Sequence, residues 1–142
     1  MSAVSTFTVQ AESELCALAE FIRQACETKN LSKKGITLVL TGDLGAGKTT
    51  FVKYLARAFL IDPHDVSSPT YVLERVYANK SITLSHWDLY RVKNLPEELY
   101  EEPGVGVIRL IEWGELFEDL KPEGILKFEL QSDGRRVITF TQ

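Results

Sequence analysis

Ile36-Thr37-Leu38-Val39-Leu40-Thr41-Gly42-Asp43-Leu44-Gly45-Ala46-Gly47-Lys48-Thr49-Thr50-Phe51 changes structural character twice within a short span. Ile36 to Thr41 is a compact apolar, β-rich run, as expected of a strand buried on both faces of a sheet. Gly42 to Thr49 then fits G-x-x-x-x-G-K-[ST] at every fixed position. From Thr49 the stretch through Leu60 reads as a helix, ended by Asp62-Pro63 because proline disfavours helical geometry in the residue before it. Strand, glycine turn and helix in this order predict a phosphate site. Glycines let the backbone fold tightly and turn its N–H groups inward, and the positive end of the helix points at the same charge. Lys48 supplies a cation for β and γ phosphates, and the Thr49 hydroxyl is a ligand for Mg²⁺. Gly45, Ala46, Gly47, Lys48, Thr49 and Thr50 are therefore the expected phosphate contacts. A chance match in a glycine-rich turn is the plain alternative, and the flanking strand and helix weigh against it.

Upstream, Thr6-Phe7-Thr8-Val9 alternates like a short strand. Leu15, Leu18, Ala19, Ile22, Ala25 and Cys26 follow at helical spacing behind Glu12-Ser13-Glu14, which predicts an amphipathic helix from about Glu12 to Thr28. Downstream, Tyr71 to Tyr77 and Ser81 to Asp88 are β-rich runs flanking Ala78-Asn79-Lys80, which reads as a hairpin. Pro96 to Pro103 is a short acidic helix or loop, and Val107 to Glu112 a further strand. Leu126 to Leu130 and Val137 to Phe140 alternate around Ser132-Asp133-Gly134, a strong hairpin signal. The expected fold is α/β: one P-loop NTPase-like three-layer domain over residues 1–142, with a mixed parallel and antiparallel sheet flanked by helices.

Composition narrows the function classes. With 44% hydrophobic and 25% charged residues the chain is neither disordered nor fibrous. A net charge of -4 and 16 scattered basic residues argue against gripping nucleic acid directly, since phosphate backbones call for clustered Lys and Arg. No apolar run approaches the roughly 18 residues of a membrane span, and Met1-Ser2-Ala3-Val4-Ser5 lacks the features of a secretory signal, so a cytoplasmic protein is expected. Cys16 and Cys26 would lie about 15 Å apart on one helix, too far for a bridge, and are read as buried free thiols.

P-loop enzymes place a second acid at the end of a neighbouring strand, where it meets Mg²⁺ directly or through water. Asp88 and Glu112 both end β-rich runs, and spacing does not choose between them; a solvated strand-end acid or an N-cap explains either. His86 reads as an oriented structural histidine, because no Cys or His stands near it. Arg91 is either a transition-state cation or a surface arginine, and Trp87 and Trp113 read as packing. Ser67-Ser68-Pro69-Thr70-Tyr71 lies where nucleotide switches carry a Thr that senses the γ-phosphate, though a Ser-Pro turn explains the same residues.

Several of these segments together resemble the bacterial TsaE (YjeE) family. Gly42 to Phe51 resembles its phosphate loop, Ser68-Pro69-Thr70-Tyr71 its first switch, His86-Trp87-Asp88-Leu89-Tyr90-Arg91 its H-x-D-L-Y-R signature, and Ile111-Glu112-Trp113 its Glu-Trp segment. Order and spacing agree from about residue 6 to residue 140. Trp87 stands where phenylalanine is common and Gly114 where proline is common. The resemblance implies an ATPase with ATP and Mg²⁺ as cofactors. Lys48 and the loop amides would hold the phosphates and Thr49 and Glu112 the metal, while Asp88 assists hydrolysis and Thr70 acts as the switch. Ser13 and Arg135 are implied as weaker nucleotide contacts. It also implies TsaB and TsaD as partners, with ATP hydrolysis supporting threonylcarbamoyl transfer to adenosine 37 of tRNAs, so that tRNA contact is indirect.

Rival readings make different demands. A small-molecule kinase needs an acceptor pocket and an arginine-bearing lid, and no lid insertion is visible. A GTPase needs N-K-x-D, which Asn79-Lys80-Ser81-Ile82 lacks. A scaffold that binds nucleotide only to hold a shape is the non-enzyme alternative.

Overall fold

The computed structural model describes residues 3–43, 45–66 and 72–142. Its strands are β1 (Val4–Val9), β2 (Ile36–Thr41), β3 (Glu74–Ala78), β4 (Thr83–Asp88), β5 (Val107–Glu112), β6 (Gly124–Leu130) and β7 (Arg136–Thr141). Its α-helices are α1 (Leu15–Thr28) and α2 (Lys48–Ala58). The strands form one sheet in the order β1-β7-β6-β2-β5-β4-β3. β2 pairs in parallel with β5 and β6, and β4 in parallel with β5; the β1–β7, β6–β7 and β3–β4 pairs are antiparallel. The sheet is therefore mixed, as expected, with β2 at its centre.

Alternation along each strand divides the core in two. On one face Ile36, Leu38, Leu40, Leu84, Ile108, Leu110, Leu126, Phe128, Ile138 and Phe140 meet the apolar stripes of both helices. Those stripes are Leu15, Leu18, Ala19, Ile22 and Cys26 on α1, and Phe51, Val52, Leu55 and Ala56 on α2. On the other face Val39, Trp87 and Ile111 are covered by Leu89, Leu95, Leu99 and Leu120. The covering segments carry 3₁₀ turns at Glu97–Tyr100 and Gly114–Leu116, so this third layer is made of turns and loops. The acidic stretch from Pro96 to Pro103 resolves to the first of these turns.

Helix ends differ from the sequence reading for local reasons. Glu12–Glu14 is a 3₁₀ turn and α1 begins at Leu15. At the other end of α2, Leu60 N–H donates to Arg57 C=O and Ile61 N–H to Ala56 C=O around a left-handed Leu60 (φ 63°), which closes the helix at Ala58 before proline is reached. The two cysteines part company. Cys26 is buried in the α1 stripe, where burial pushes its thiol up to about 12, whereas Cys16 is exposed, contrary to expectation. Ten residues of helix turn Cys16 about 80° away from Cys26, off the buried stripe. No helix among the described residues is long and apolar enough to cross a membrane.

Gly124 begins β6 opposite Leu38, and a Cβ there would lie 2.5 Å from Phe140 Cε1 and 3.1 Å from Leu38 Cδ2. Gly124→Ala overpacks the centre of the sheet and is expected to lower unfolding free energy by about 1–3 kcal/mol in urea titration. Wild-type stability in that variant would show that the ring of Phe140 is not pinned there.

Candidate nucleotide site

β7 runs against β1 and β6, so β1, β2, β4, β5 and β6 all point the same way and their carboxyl ends share one edge of the sheet. Ligands of α/β sheets bind at such an edge. Here it gathers the loop from Gly42 to Gly47, Asp88 at the end of β4, Glu112 at the end of β5, the Glu12–Glu14 turn carrying Ser13, and the start of β7.

The loop uses its glycines for conformation and for clearance. Gly42, Gly45 and Gly47 have φ of 141°, 83° and 105°. A Cβ at Gly42 would meet Phe128 C=O at 2.5 Å, whereas Gly45 faces open space. Gly47 is the N-cap of α2 with no side-chain capping bond, and the first turn of α2 carries no acid. The N–H groups that open the helix thus have no intrahelical acceptor and favour an anion. A cleft of about 560 Å³, lined by Gly42, Asp43, Ala46 and the end of β6, adjoins the loop. Leu44 lies outside the described residues.

Lys48 is the first residue of α2 and is only 7% exposed. Its Nζ donates to Gly42 C=O at 2.5 Å, pairs with Glu112 Oε1 at 3.2 Å and lies 5.5 Å from the centre of the Trp113 ring. Trp113 takes a left-handed conformation (φ 64°) that turns the chain directly after Glu112. Glu112 Oε2 in turn accepts from His86 Nε2 at 2.7 Å, and His86 is wholly buried. His86, Glu112 and Lys48 come from β4, β5 and α2, so one chain of polar contacts joins three elements under the loop. Burial pushes the Glu112 carboxyl up, but the hydrogen bond and charge of His86 and the charge of Lys48 outweigh it and hold it below its ordinary value. Asp88 stands beside Glu112 in the β4–β5 register, and its Oδ1 accepts the Tyr90 N–H at 2.9 Å.

These donors suit Mg²⁺. One hydroxyl and one or two carboxylates form a hard, incomplete set, which fits an ion that keeps water and phosphate oxygens in its shell. Among the described residues no group of three or more His, Cys, Asp or Glu offers a complete protein cage. Glu112 lies beside Lys48 under the loop and is held ionised, as such a ligand must be.

The model of the family described as Threonylcarbamoyl adenosine biosynthesis protein TsaE matches residues 9–138. The chain belongs to the TsaE family. The Bacillus subtilis (strain 168) tRNA threonylcarbamoyladenosine biosynthesis protein TsaE is 39% identical over 119 residues, which are 80% of this chain and 74% of that one. The Aquifex aeolicus (strain VF5) protein of the same name is 36% identical over 140 residues, 97% of this chain and 96% of that one. The crystal structure of Bacillus subtilis YdiB matches with a TM-score of 0.69 at 29% identity, over 99% of this chain and 86% of that chain. The architecture is thus that of a P-loop NTPase, in a TsaE family that serves tRNA threonylcarbamoyladenosine biosynthesis.

The TsaE segments fall in two groups along the edge. Lys48, Thr49, Thr50, Asp88 and Glu112 gather around the loop and the central strands. Ser13 and Arg135 lie further out, both exposed, and the Arg135 Nε donates to Asp133 Oδ2 at 2.6 Å beside a cleft of about 470 Å³ shared with Gln10. Thr70, with the Ser68-Pro69-Thr70-Tyr71 segment, lies outside the described residues. Arg91 is exposed in the turn after β4, and the Trp87 Nε1 donates to Ser85 Oγ within the opposite core. Asn79 is consumed by the hairpin turn. Its Oδ1 accepts from Ser81 and Ile82 N–H and its Nδ2 donates to Phe59 C=O, so it builds the β3–β4 turn instead of reading a base. Sequence reasoning missed the Gly42 carbonyl as an anchor for Lys48, the Trp113 ring beside that ammonium, and Arg136, whose stem packs on Gly47.

Folding lowers the Glu112 pKa below 4.5, so the unfolded chain takes up this proton first. The stability it confers is complete above that value and drains away as pH falls through the folded-state value. At pH 7, Glu112→Gln strands the Lys48 ammonium and is expected to cost about 3–5 kcal/mol. The gap between wild type and variant should shrink in urea titrations carried from pH 7 to pH 3; a gap independent of pH would remove Glu112 from the acid sensitivity of the fold.

Proposed function

We propose that this TsaE-family chain binds ATP with Mg²⁺ and hydrolyses it, in support of a TsaB and TsaD complex that transfers threonylcarbamoyl to adenosine 37 of tRNAs reading codons that begin with A. The observation that carries this reading is the placement of the Lys48 ammonium 3.2 Å from the Glu112 carboxylate beneath a glycine loop. A phosphate-neutralising cation and a metal-binding carboxylate stand side by side where a triphosphate tail would lie.

The loop amides and the first turn of α2 bind the phosphate chain, and Lys48 neutralises charge on its β and γ groups. Thr49 and Glu112 would hold Mg²⁺, which supplies charge neutralisation between those phosphates. Lys48 and Glu112 satisfy one another in the structure, so substrate and metal replace a protein ion pair and leave no stranded charge behind. Asp88, one strand over from Glu112, orients the attacking water directly or through a neighbour. The water oxygen bonds to the γ-phosphorus, the bond from that phosphorus to the β–γ bridging oxygen breaks, the protons of the water pass to the phosphate formed and to solvent, and ADP and phosphate leave. TsaB and TsaD read departure of the γ-phosphate as a timer, with Thr70, outside the described residues, as the residue that senses it. tRNA is reached only through that complex, in keeping with the net charge of -4.

ATP hydrolysis by the purified chain is expected to be slow alone and faster when TsaB and TsaD are added. Asp88→Ala should lower kcat by about 10²–10⁴-fold while ATP affinity stays near wild type, because Asp88 is asked to act on water and not on phosphate. Fast turnover indifferent to both partners, or full turnover in the Asp88 variant, would contradict this function.

A further inference from the structure

Arg136 opens β7, between Val9 of β1 and Leu130 of β6, at the same edge as the phosphate loop. Its side chain turns back across the loop. A Cβ on Gly47 would lie 3.3 Å from both Cδ and Nε of Arg136, so the arginine stem covers the N-cap of α2. The Nε is buried with no hydrogen-bond partner, and no carboxylate pairs with this guanidinium among the described residues.

That placement runs against the ordinary preferences of an arginine. Cations are disfavoured at a helix N-terminus, where the unpaired N–H groups already present positive charge. A buried guanidinium donor without an acceptor is likewise rare, because desolvation is not offset. The neighbouring Arg135 shows the usual solution, with its Nε on Asp133. An anion seated between the loop amides and the guanidinium satisfies both groups together, and the planar fork of arginine matches phosphate oxygens.

Its side of the sheet identifies the phosphate. Glu112 and Asp88 lie on β5 and β4, to one side of β2, whereas Arg136 reaches the loop from β7, beyond β6 on the other side. The metal and the bond to be broken belong with the two acids. We propose that Arg136 is a second cation of the nucleotide site, donating to a phosphate oxygen that ADP and ATP have in common and leaving the γ-phosphate to Lys48. This rests on the nucleotide reading above and adds a contact that substrate and product share, so Arg136 retains the nucleotide after hydrolysis.

Calorimetric titration of ADP and of ATP, each with magnesium, into the full chain tests it with Arg136→Met and Arg136→Lys. Methionine keeps much of the stem over Gly47 and removes the fork. Arg136→Met is expected to bind ADP and ATP about 10-fold more weakly, by a common factor, with Arg136→Lys between it and wild type. Without nucleotide, Arg136→Met should unfold at or above the wild-type temperature, because an unsatisfied buried donor has been removed; a purely structural arginine would lower it. Affinities within twofold of wild type in Arg136→Met overturn the assignment, as does a loss confined to ATP. Should Arg136→Met fail to fold, a wild-type ADP affinity in Arg136→Lys overturns the forked contact. Wild-type protein that takes up neither nucleotide refutes the underlying nucleotide reading instead.

Discussion

A carboxylate held away from water between an imidazole and an ammonium group is the constraint on which the rest of this structure depends. Glu112 is 6% exposed, and a charge so placed is tolerable only when its lone pairs are taken. His86 takes one oxygen and Lys48 the other. For the imidazole to reach it, β4 and β5 must pair in parallel with Asp88 opposite Glu112. For the ammonium to reach it, α2 must start directly above the end of β2, which the tight glycine loop enforces. One buried anion thus fixes the register of two strands and the position of a helix. An alternative packing of the same elements would strand a charge, at a cost comparable to a large part of the stability of a small domain.

The same arrangement prepares the site chemically. In the proposed function the two ends of the Lys48–Glu112 pair part, the ammonium toward phosphate and the carboxylate toward metal, and each charge leaves one partner only to meet another. His86 stays behind Glu112 and keeps the carboxylate aimed at the edge of the sheet, the way a supporting histidine or carboxylate commonly orients a metal ligand. Trp113 screens the ammonium from water without offering a competing hydrogen bond. The segments after β4 and β5 cover the second face of the sheet.

The parts legible in the sequence were those written by local rules. β2 and β5 run over the residues their apolar runs mark, and the glycine spacing places the loop and the start of α2 within one residue. What stayed hidden depends on which strands become neighbours. The amino-acid pattern gives Asp88 and Glu112 equal standing, the β4–β5 register sets them side by side, and the side-chain contacts show Glu112 joined to Lys48 while Asp88 caps the turn at Tyr90. His86 was recognisable as an oriented histidine, but its acceptor lies on another strand. Arg135 and Arg136 are adjacent in sequence and point to different places because Arg135 belongs to the turn, where Asp133 holds it, while Arg136 is the first residue of β7 and lies over Gly47. Cys16 escaped its expected burial through the complementary helical rule, and the turn-built layer over Val39 and Ile111 carries no period to read.

The central claim is that the loop and Lys48 form the seat of a nucleotide triphosphate. Its most direct test is uptake of ATP in the presence of magnesium by wild-type protein and by Lys48→Met, with cooperative unfolding of each confirmed beforehand. Saturable binding of one ATP per chain by the wild type, abolished or weakened by orders of magnitude in the folded variant, is the outcome this account requires. Equal uptake by the two proteins would place the nucleotide somewhere other than this loop.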